Sequence, residues 1–332
     1  MEQVGFIGCG SWGGALGKIL SEKDIPVIMW HRNPQIVKKL DESRIHYLIP
    51  ELVFNKKVKF TNDFALTIQS SSVIVIALPS QTIRSIIEQN ITTFNKNKII
   101  VNVSKGIEID TLMTVSDLLN NILGIDYDNI VALSGPSHAE EVIQKHPTTL
   151  VAASKNVNTG IKIQNLFATD YLRTYLSDDV KGVEIGGALK NVIAIAAGIC
   201  DGIGYGDNSK AALMTRGMAE ITNLGNAMGG KEETFRGLSG FGDLIVTCLS
   251  KHSRNRNLGQ AIGEGKLLNQ ILNEMDMIAE GVNTAKSVHQ LSEKYNIEMP
   301  IHDAIYNVLF SGKNPGNSVK ELMNRKLSLE NK

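Results

Sequence analysis

The sequence predicts an α/β protein. A doubly wound, mostly parallel sheet over residues 1–180 is followed by an all-helical domain over residues 181–332. Three observations predict it. Short, near-continuously apolar runs alternate with amphipathic segments through the first half, the rhythm of βαβ units whose strands are buried on both faces. That rhythm stops at Asp178-Asp179-Val180-Lys181-Gly182, after which only helical periodicities follow. The chain has 332 residues, more than one hydrophobic core usually organises.

The strand runs lie at 3–8 (QVGFIG), 26–30 (PVIMW), 73–78 (VIVIAL), 99–103 (IIVNV) and 130–134 (IVALS). Amphipathic helical patterns fall between them around 13–22, 34–43, 81–90 and 110–123. A further strand pair is expected at 148–153 and 171–176. Beyond the boundary the helical patterns cover 183–200, 209–228, 256–263, 283–295, 301–310 and 317–325. The most apolar stretch, Val192 to Cys200, is too short to cross a bilayer and reads as a buried core helix, so no integral membrane segment is expected. The chain opens directly on a strand-like run with no basic segment before an apolar one, so no secretory signal is expected either.

Charge and cysteine usage narrow the function classes. There are 34 basic and 34 acidic residues, and nothing in that balance suggests a nucleic-acid or anionic-membrane partner. Cys9, Cys200 and Cys248 lie far apart, without metal-ligand or redox spacing, and their odd number argues against a disulfide scaffold. A reducing compartment fits, and no metal site is expected.

The first strand run ends in Gly8-Cys9-Gly10-Ser11-Trp12-Gly13, a G-x-G-x-x-G that follows a strand and opens a helix. In that context the first glycine permits a tight turn, the second lets the backbone approach a pyrophosphate, and the third lets helix and strand pack closely. The helix N-terminus then offers free N–H groups to the anion. The reading is a Rossmann-like dinucleotide site. At the end of the second strand run, where an NAD-preferring fold places a carboxylate, stand Trp30-His31-Arg32-Asn33. Arg32 with His31 beside it suits a 2′-phosphate. NADPH/NADP+ is therefore favoured, with NADH/NAD+ as the alternative if Arg32 is only a surface arginine.

Ligands of open α/β sheets bind outside the carboxyl ends of the strands. There the sequence places Pro79-Ser80-Gln81, Ser104-Lys105-Gly106 and Gly135-Pro136-Ser137-His138-Ala139. Lys105 directly after a buried strand is an anchored charge, able to polarise a carbonyl or hold a phosphate. His138 begins a helix-like segment followed by the first-turn acids Glu140 and Glu141, and reads as a supporting rather than a catalytic group. Lys190 is the only charge between Glu184 and Asp201, inside an apolar helix. Burial there would lower its pKa and let it exchange a proton near neutral pH; the alternative is a lysine that snorkels to water. Asn191 beside it could hold a hydroxyl or carbonyl. Asp243, between glycines and an apolar run, reads as buried and paired, plausibly with Lys190. Ser253-Arg254-Asn255 is either a phosphate-binding donor cluster or a helix N-cap with exposed basic residues.

Taken together, these motifs resemble the bacterial-type NAD(P)H-dependent glycerol-3-phosphate dehydrogenases. The carriers are GCGSWG at 8–13, SKGIE at 104–108, SGPSHAEEV at 134–142, GALKNVIAIAAGICDGIGYGDNSKAAL at 187–213, GFGDLIVTC at 240–248, SRNRNLG at 253–259 and AEGVNTA at 279–285. The resemblance implies reduction of dihydroxyacetone phosphate to glycerol 3-phosphate. It implies Lys190 as the proton donor and acceptor and Lys105 at both cofactor and substrate. It places Gly135, Ser137, Asp243, Ser253, Arg254 and Asn255 around the substrate, where the position of Asn191 beside Lys190 also puts that residue. It places Gly8, Gly10, Ser11, Trp12, Gly13, His31, Arg32, Ala139, Ile278 and Glu280 on the cofactor, with Arg254 shared. It further implies a cytoplasmic homodimer that feeds glycerophospholipid synthesis.

Overall fold

The computed structural model describes residues 3–275, 277–327 and 329–330. Its first part runs β1 (Val4–Ile7), α1 (Ser11–Glu22), β2 (Val27–Trp30), α2 (Pro34–Ser43), β3 (Val58–Thr61), α3 (Phe64–Gln69), β4 (Val73–Ile76), α4 (Ile83–Gln89), β5 (Ile99–Asn102), α5 (Val115–Leu123), β6 (Ile130–Ser134), α6 (Ala139–Ile143), β7 (Thr148–Ser154), α7 (Val157–Phe167) and β8 (Leu172–Ser177). The eight strands form one sheet in the order β3-β2-β1-β4-β5-β6-β7-β8. All neighbours are parallel except β6 and β7. Alternate residues of each central strand face opposite layers, because side chains on a strand alternate. Val73 and Val75 join the core under α1, α2, α6 and α7, while Ile74 and Ile76 join the core under α3, α4 and α5. Both faces are covered, which is why these strands carry no polar alternation.

The remainder is helical: α8 (Val180–Ile203), α9 (Asp207–Ala227), α10 (Glu232–Arg236), α11 (Asp243–Leu249), α12 (Arg254–Gly263), α13 (Leu268–Glu274), α14 (Glu280–Tyr295), α15 (Pro300–Phe310) and α16 (Pro315–Met323). Several expectations need correction. β3 was not foreseen: it is a four-residue edge strand, VKFT, set among Asn55, Lys56 and Lys57, and its alternation is too short to stand out from a polar loop. The crossover helix α7 and the short helices α3, α10, α11 and α13 were also missed. Residues 110–113 do not join α5, because Asp110 and Leu112 take left-handed backbone conformations and Thr114 caps the helix instead. α8 begins at Val180 and has 24 residues, longer than its apolar core implied. By length and mean hydropathy α8 would suffice to cross a membrane, yet its apolar window is wholly buried in the fold.

α8 is the axis of the helical part, and α12 lies against it through a reciprocal glycine seam. A Cβ at Gly198 would run into the Arg256 carbonyl, and one at Gly202 into the Gln260 carbonyl. From the other side, a Cβ at Gly259 would strike the Ile195 carbonyl and one at Gly263 would lie 2.6 Å from the Ile199 oxygen. Both helices thus carry glycines four residues apart on the facing side, and their backbones touch. Because the obstruction is backbone on each side, no rotamer change relieves it. Gly259→Ala should lower stability by about 1–3 kcal/mol through overpacking, read as a lower urea midpoint at unchanged slope. A midpoint equal to that of the parent would mean that the seam is not tight.

Candidate active site

The sheet order reverses between β1 and β4, and a cleft of about 450 Å³ opens outside the carboxyl ends of these strands, against the helical part. Gly8, φ +105°, turns the chain out of β1, and a Cβ there would strike the Ala77 carbonyl beyond β4. A Cβ on Gly10 would meet nothing within 4 Å, so this backbone faces open cleft. A Cβ on Gly13 would sit 2.9 Å from that of Ala77, so this glycine lets α1 pack on the sheet. α1 has neither a side-chain cap nor an acid in its first turn, so its N–H groups and positive end are free for an anion. Tight turn, open approach and close packing are the three requirements of a pyrophosphate cradle, and each falls on the expected glycine. Ser11 and Trp12 line the same wall, with Ser11 Oγ 3.3 Å from Met277 Sδ across the cleft.

His31 and Arg32 line the end of β2, and Arg32 is exposed. His31 Nδ1 accepts from the Asn33 amide at 3.0 Å, and its Nε2 lies 3.4 Å from the Tyr47 hydroxyl. Tyr47 is held by His46, which stacks on it with ring centroids 4.8 Å apart and accepts from the Leu48 and Ile49 amides. Burial depresses the His46 pKa to about 4, consistent with a neutral ring that accepts from the backbone. The only carboxylates lining the cleft, among the described residues, are Asp243 and Glu280, against the cations Arg32, Lys105, Lys190 and Arg254.

The cleft floor joins the two halves of the chain. Lys190, 5% exposed on α8, and Lys105, just after β5, hold the same carboxylate: Lys190 Nζ lies 2.7 Å from Asp243 Oδ1 and Lys105 Nζ 2.6 Å from Oδ2. Lys105 also donates to the Gly135 carbonyl at 3.1 Å, and Ser137 Oγ donates to the same carbonyl at 2.9 Å. Lys190 donates to Thr247 Oγ1, which in turn donates to the Asp243 carbonyl at 2.6 Å. Burial lowers the Lys190 pKa to about 8; Asp243 opposes that shift and Lys105 adds to it. Burial disfavours the ionised Asp243, but the two ammonium groups outweigh it and hold its carboxyl below the usual range. Lys190 does not snorkel, so of its two sequence readings the buried one holds.

A second anion corner lies beside this floor. Ser253 caps α12 by accepting from the Arg256 amide at 3.2 Å, and α12 has no acid in its first turn. The N-cap and donor-cluster readings are therefore compatible: the cap opens into the cleft. Arg254 is exposed there and donates to the Ile278 carbonyl at 3.2 Å. Asn255 donates to Asn191 Oδ1 at 3.0 Å and accepts from the Gly281 amide at 2.9 Å, tying α8, α12 and α14 together. Glu280, first residue of α14, accepts from the Ser80 amide and hydroxyl at 3.2 and 2.7 Å, and burial raises its pKa.

Of the residues expected on substrate or cofactor, two do not line the cleft. Gly135 sits behind Lys105 and Ser137 as their acceptor, and Ala139 is buried at the start of α6. His138 does line it; its Nε2 is buried without a partner, and burial, then the charge of Lys190, lowers its pKa to about 4. Thr247 and Tyr47 line the cleft and were missed. Thr247 alone had a readable signal, since it stands one helical turn after Asp243.

Two family models match in succession. NAD-dependent glycerol-3-phosphate dehydrogenase N-terminus matches residues 3–160, and the C-terminus of the same family matches residues 179–320. The NAD(P)+ glycerol-3-phosphate dehydrogenase of Lysinibacillus sphaericus is 46% identical over 327 residues, 98% of this chain and 97% of the relative. That of Bacillus subtilis is 45% identical over 98% of this chain and 95% of its own. The crystal structure of glycerol-3-phosphate dehydrogenase from Coxiella burnetii superposes with a TM-score of 0.93 at 31% identity, over 98% of this chain and 99% of that one. A ketopantoate reductase from Ralstonia eutropha, at 15% identity and a TM-score of 0.61, shares the fold alone. Matched in order across both halves and at this identity over nearly its whole length, the chain belongs to the NAD(P)-dependent glycerol-3-phosphate dehydrogenases of bacterial type and is an enzyme of that family.

Proposed function

We propose that this enzyme reduces dihydroxyacetone phosphate to sn-glycerol 3-phosphate, reversibly, with NADPH preferred over NADH, and that Lys190 carries the proton. The observation that carries the reading is the buried Lys190–Asp243–Lys105 arrangement beside the Ser253-capped, acid-free N-terminus of α12. The dinucleotide is held by Gly8, Gly10, Ser11, Trp12 and Gly13 at its pyrophosphate, by His31 and Arg32 at its 2′-phosphate, and by Lys105, Arg254, Ile278 and Glu280 nearer the reacting end, with Ala139 buried behind them at the start of α6. When bound, the reduced nicotinamide supplies the hydride to the substrate's C2. Ser253, Arg254 and Asn255 take the substrate phosphate at the α12 N-terminus. Ser137 and Asn191 line the rest of the substrate pocket, and Gly135 acts from behind by accepting from Lys105 and Ser137. Lys190 and Lys105 stabilise the oxygen as it gains charge, and Lys190 delivers its proton. Asp243 and Thr247 hold the Lys190 ammonium in place. The division at about residue 180 separates a mainly dinucleotide-binding domain from a helical domain that carries Lys190 and most of the substrate contacts, and both line the cleft. The family resemblance supports a cytoplasmic homodimer that supplies glycerophospholipid synthesis.

Lys190→Ala should lower kcat by roughly 10²–10⁴-fold while NADPH affinity, followed by cofactor fluorescence, changes little; an unchanged kcat sinks the role. Because reduction needs the Lys190 ammonium, kcat for dihydroxyacetone phosphate should fall as pH rises through about 8. Oxidation of glycerol 3-phosphate needs the neutral amine and should rise over the same range. Parallel profiles in the two directions would contradict this assignment. At the other end of the cleft, Arg32→Asp should lower the ratio of kcat/KM for NADPH to that for NADH by roughly 10–100-fold, the worth of a charge-assisted contact. An unaltered ratio would remove Arg32 from the 2′-phosphate.

A further inference from the structure

Glu184 is a buried carboxylate that the reaction described above does not use. It lies on α8 and is 7% exposed. Its donors are all neutral. Asn102 Nδ2 donates at 2.6 Å, the Ser116 amide at 3.1 and 3.2 Å, and the Ser116 hydroxyl at 2.9 Å. Burial raises its pKa, opposed by these bonds and one from Thr114. A buried carboxylate without a cation is costly, and capping α5 explains only the Ser116 and Thr114 contacts.

The Asn102 contact leads elsewhere. Asn102 is the last residue of β5, where the chain turns toward Lys105. Its Oδ1 accepts from the Ser104 amide at 2.9 Å, and its Nδ2 also reaches the Ser104 carbonyl at 3.3 Å. The Asn102 amide therefore clamps both polar groups of the residue before Lys105, and Glu184 fixes which way that amide points. Six residues of α8, about 9 Å of rise, separate Glu184 from Lys190. The path closes on itself from Glu184 through Asn102, Ser104, Lys105 and Asp243 to Lys190, and back along α8.

We propose that Glu184 is a positioning residue for the reaction: through Asn102 it sets the Ser104–Lys105 turn, and so the placement of the Lys105 ammonium on Asp243 beside Lys190. The proposal rests on the roles given to Lys105 and Lys190 above. The titratable groups around Lys190 are Lys105, Asp243 and Cys248, with His138 on the side of α6. Of these, Lys105 is the one whose backbone Glu184 controls. A displaced Lys105 no longer repels the Lys190 ammonium and no longer shares Asp243 with it. Both changes favour the charged form of Lys190.

The test is steady-state reduction of dihydroxyacetone phosphate across pH by full-length Glu184→Gln. Gln keeps the size but sets an NH2 against the donors of Asn102 or Ser116. The expected result is a kcat lower by roughly 10–100-fold, NADPH KM within about threefold, and a kinetic pKa displaced upward by roughly 0.5 or more. Ser116→Ala, which removes the hydroxyl bond from α5 and leaves Asn102 on Glu184, should lower the melting temperature and leave kcat and profile as in the parent. If Glu184→Gln does not fold, Asn102→Ala carries the same expectation. Loss of stability with parental kcat and profile in these variants would overturn the proposal and leave Glu184 as a cap for α5. If the parent shows no ionisation that Lys190→Arg removes, it is the proton role of Lys190 that fails, and kcat alone then decides for or against Glu184.

Discussion

Asp243 holds two ammonium groups that arrive from opposite halves of the chain, and the geometry of the cleft follows from that triad. Asp243 is 1% exposed and Lys190 5%, so neither charge is solvated by bulk water. Without the carboxylate, two cations would face each other in a low-dielectric pocket, and breaking a buried pair of this kind costs several kcal/mol. With it, the pair of lysines keeps one positive charge in excess of Asp243 at the point where the proposed reaction generates an oxyanion. The triad is also a tie. Lys105 belongs to the sheet, Lys190 and Asp243 to the helices, so the same contacts that tune Lys190 also set how the helical part sits on the cofactor-binding sheet.

That tie explains why α8 is built as it is. A helix carrying a buried reactive lysine must be surrounded on every side, so its other residues are apolar or small. The glycines that let α12 touch its backbone bring Arg254 and Asn255 to the level of Lys190 and Asn191. Arg256 reinforces the seam by reaching Asp201 on α8 at 2.6 Å. The result is a helix apolar enough to pass for a membrane span and yet with its apolar window entirely interior. Hydropathy reports only that a segment avoids water. Whether lipid or protein shields it depends on partners elsewhere in the chain.

The parts of this molecule legible in the sequence were those with a strong local signature. The central strands β1, β2, β4, β5 and β6 are continuous apolar runs, and Gly8, Gly10 and Gly13 stand at a spacing that few other demands impose. Lys190 was legible because a charge in an apolar helix conflicts with its surroundings, and such conflicts mark sites. What was not legible depends on pairing. β3 is a strand only because β2 offers it an edge, and its own residues are mostly polar or half-exposed. α7 and α13 have modest apolar faces that gain meaning only against the elements they cover. Tyr47 reaches the cleft from a loop anchored by His46, whose Nε2 lies 3.1 Å from the carbonyl of Cys9, 37 residues earlier, and the turn after β4 is fixed by the contact of Ser80 with Glu280, 200 residues away. The Ser253 segment presented two readings because one geometry, a capped helix start, serves both.

The chain carries no formal net charge. Two phosphate-bearing ligands are expected to bind here, yet no basic patch is visible in the composition. The cleft achieves the bias locally, by placing four cations against two carboxylates and by aiming the uncapped start of α1 and the Ser253-capped start of α12 into the same space. Neither helix has an acid in its first turn, so neither partial charge is cancelled at its source. Backbone dipoles do not appear in a count of lysines and arginines. A protein can therefore be electrically neutral over its whole surface and still present a strong anion site, provided that the fold, rather than the composition, supplies the charge.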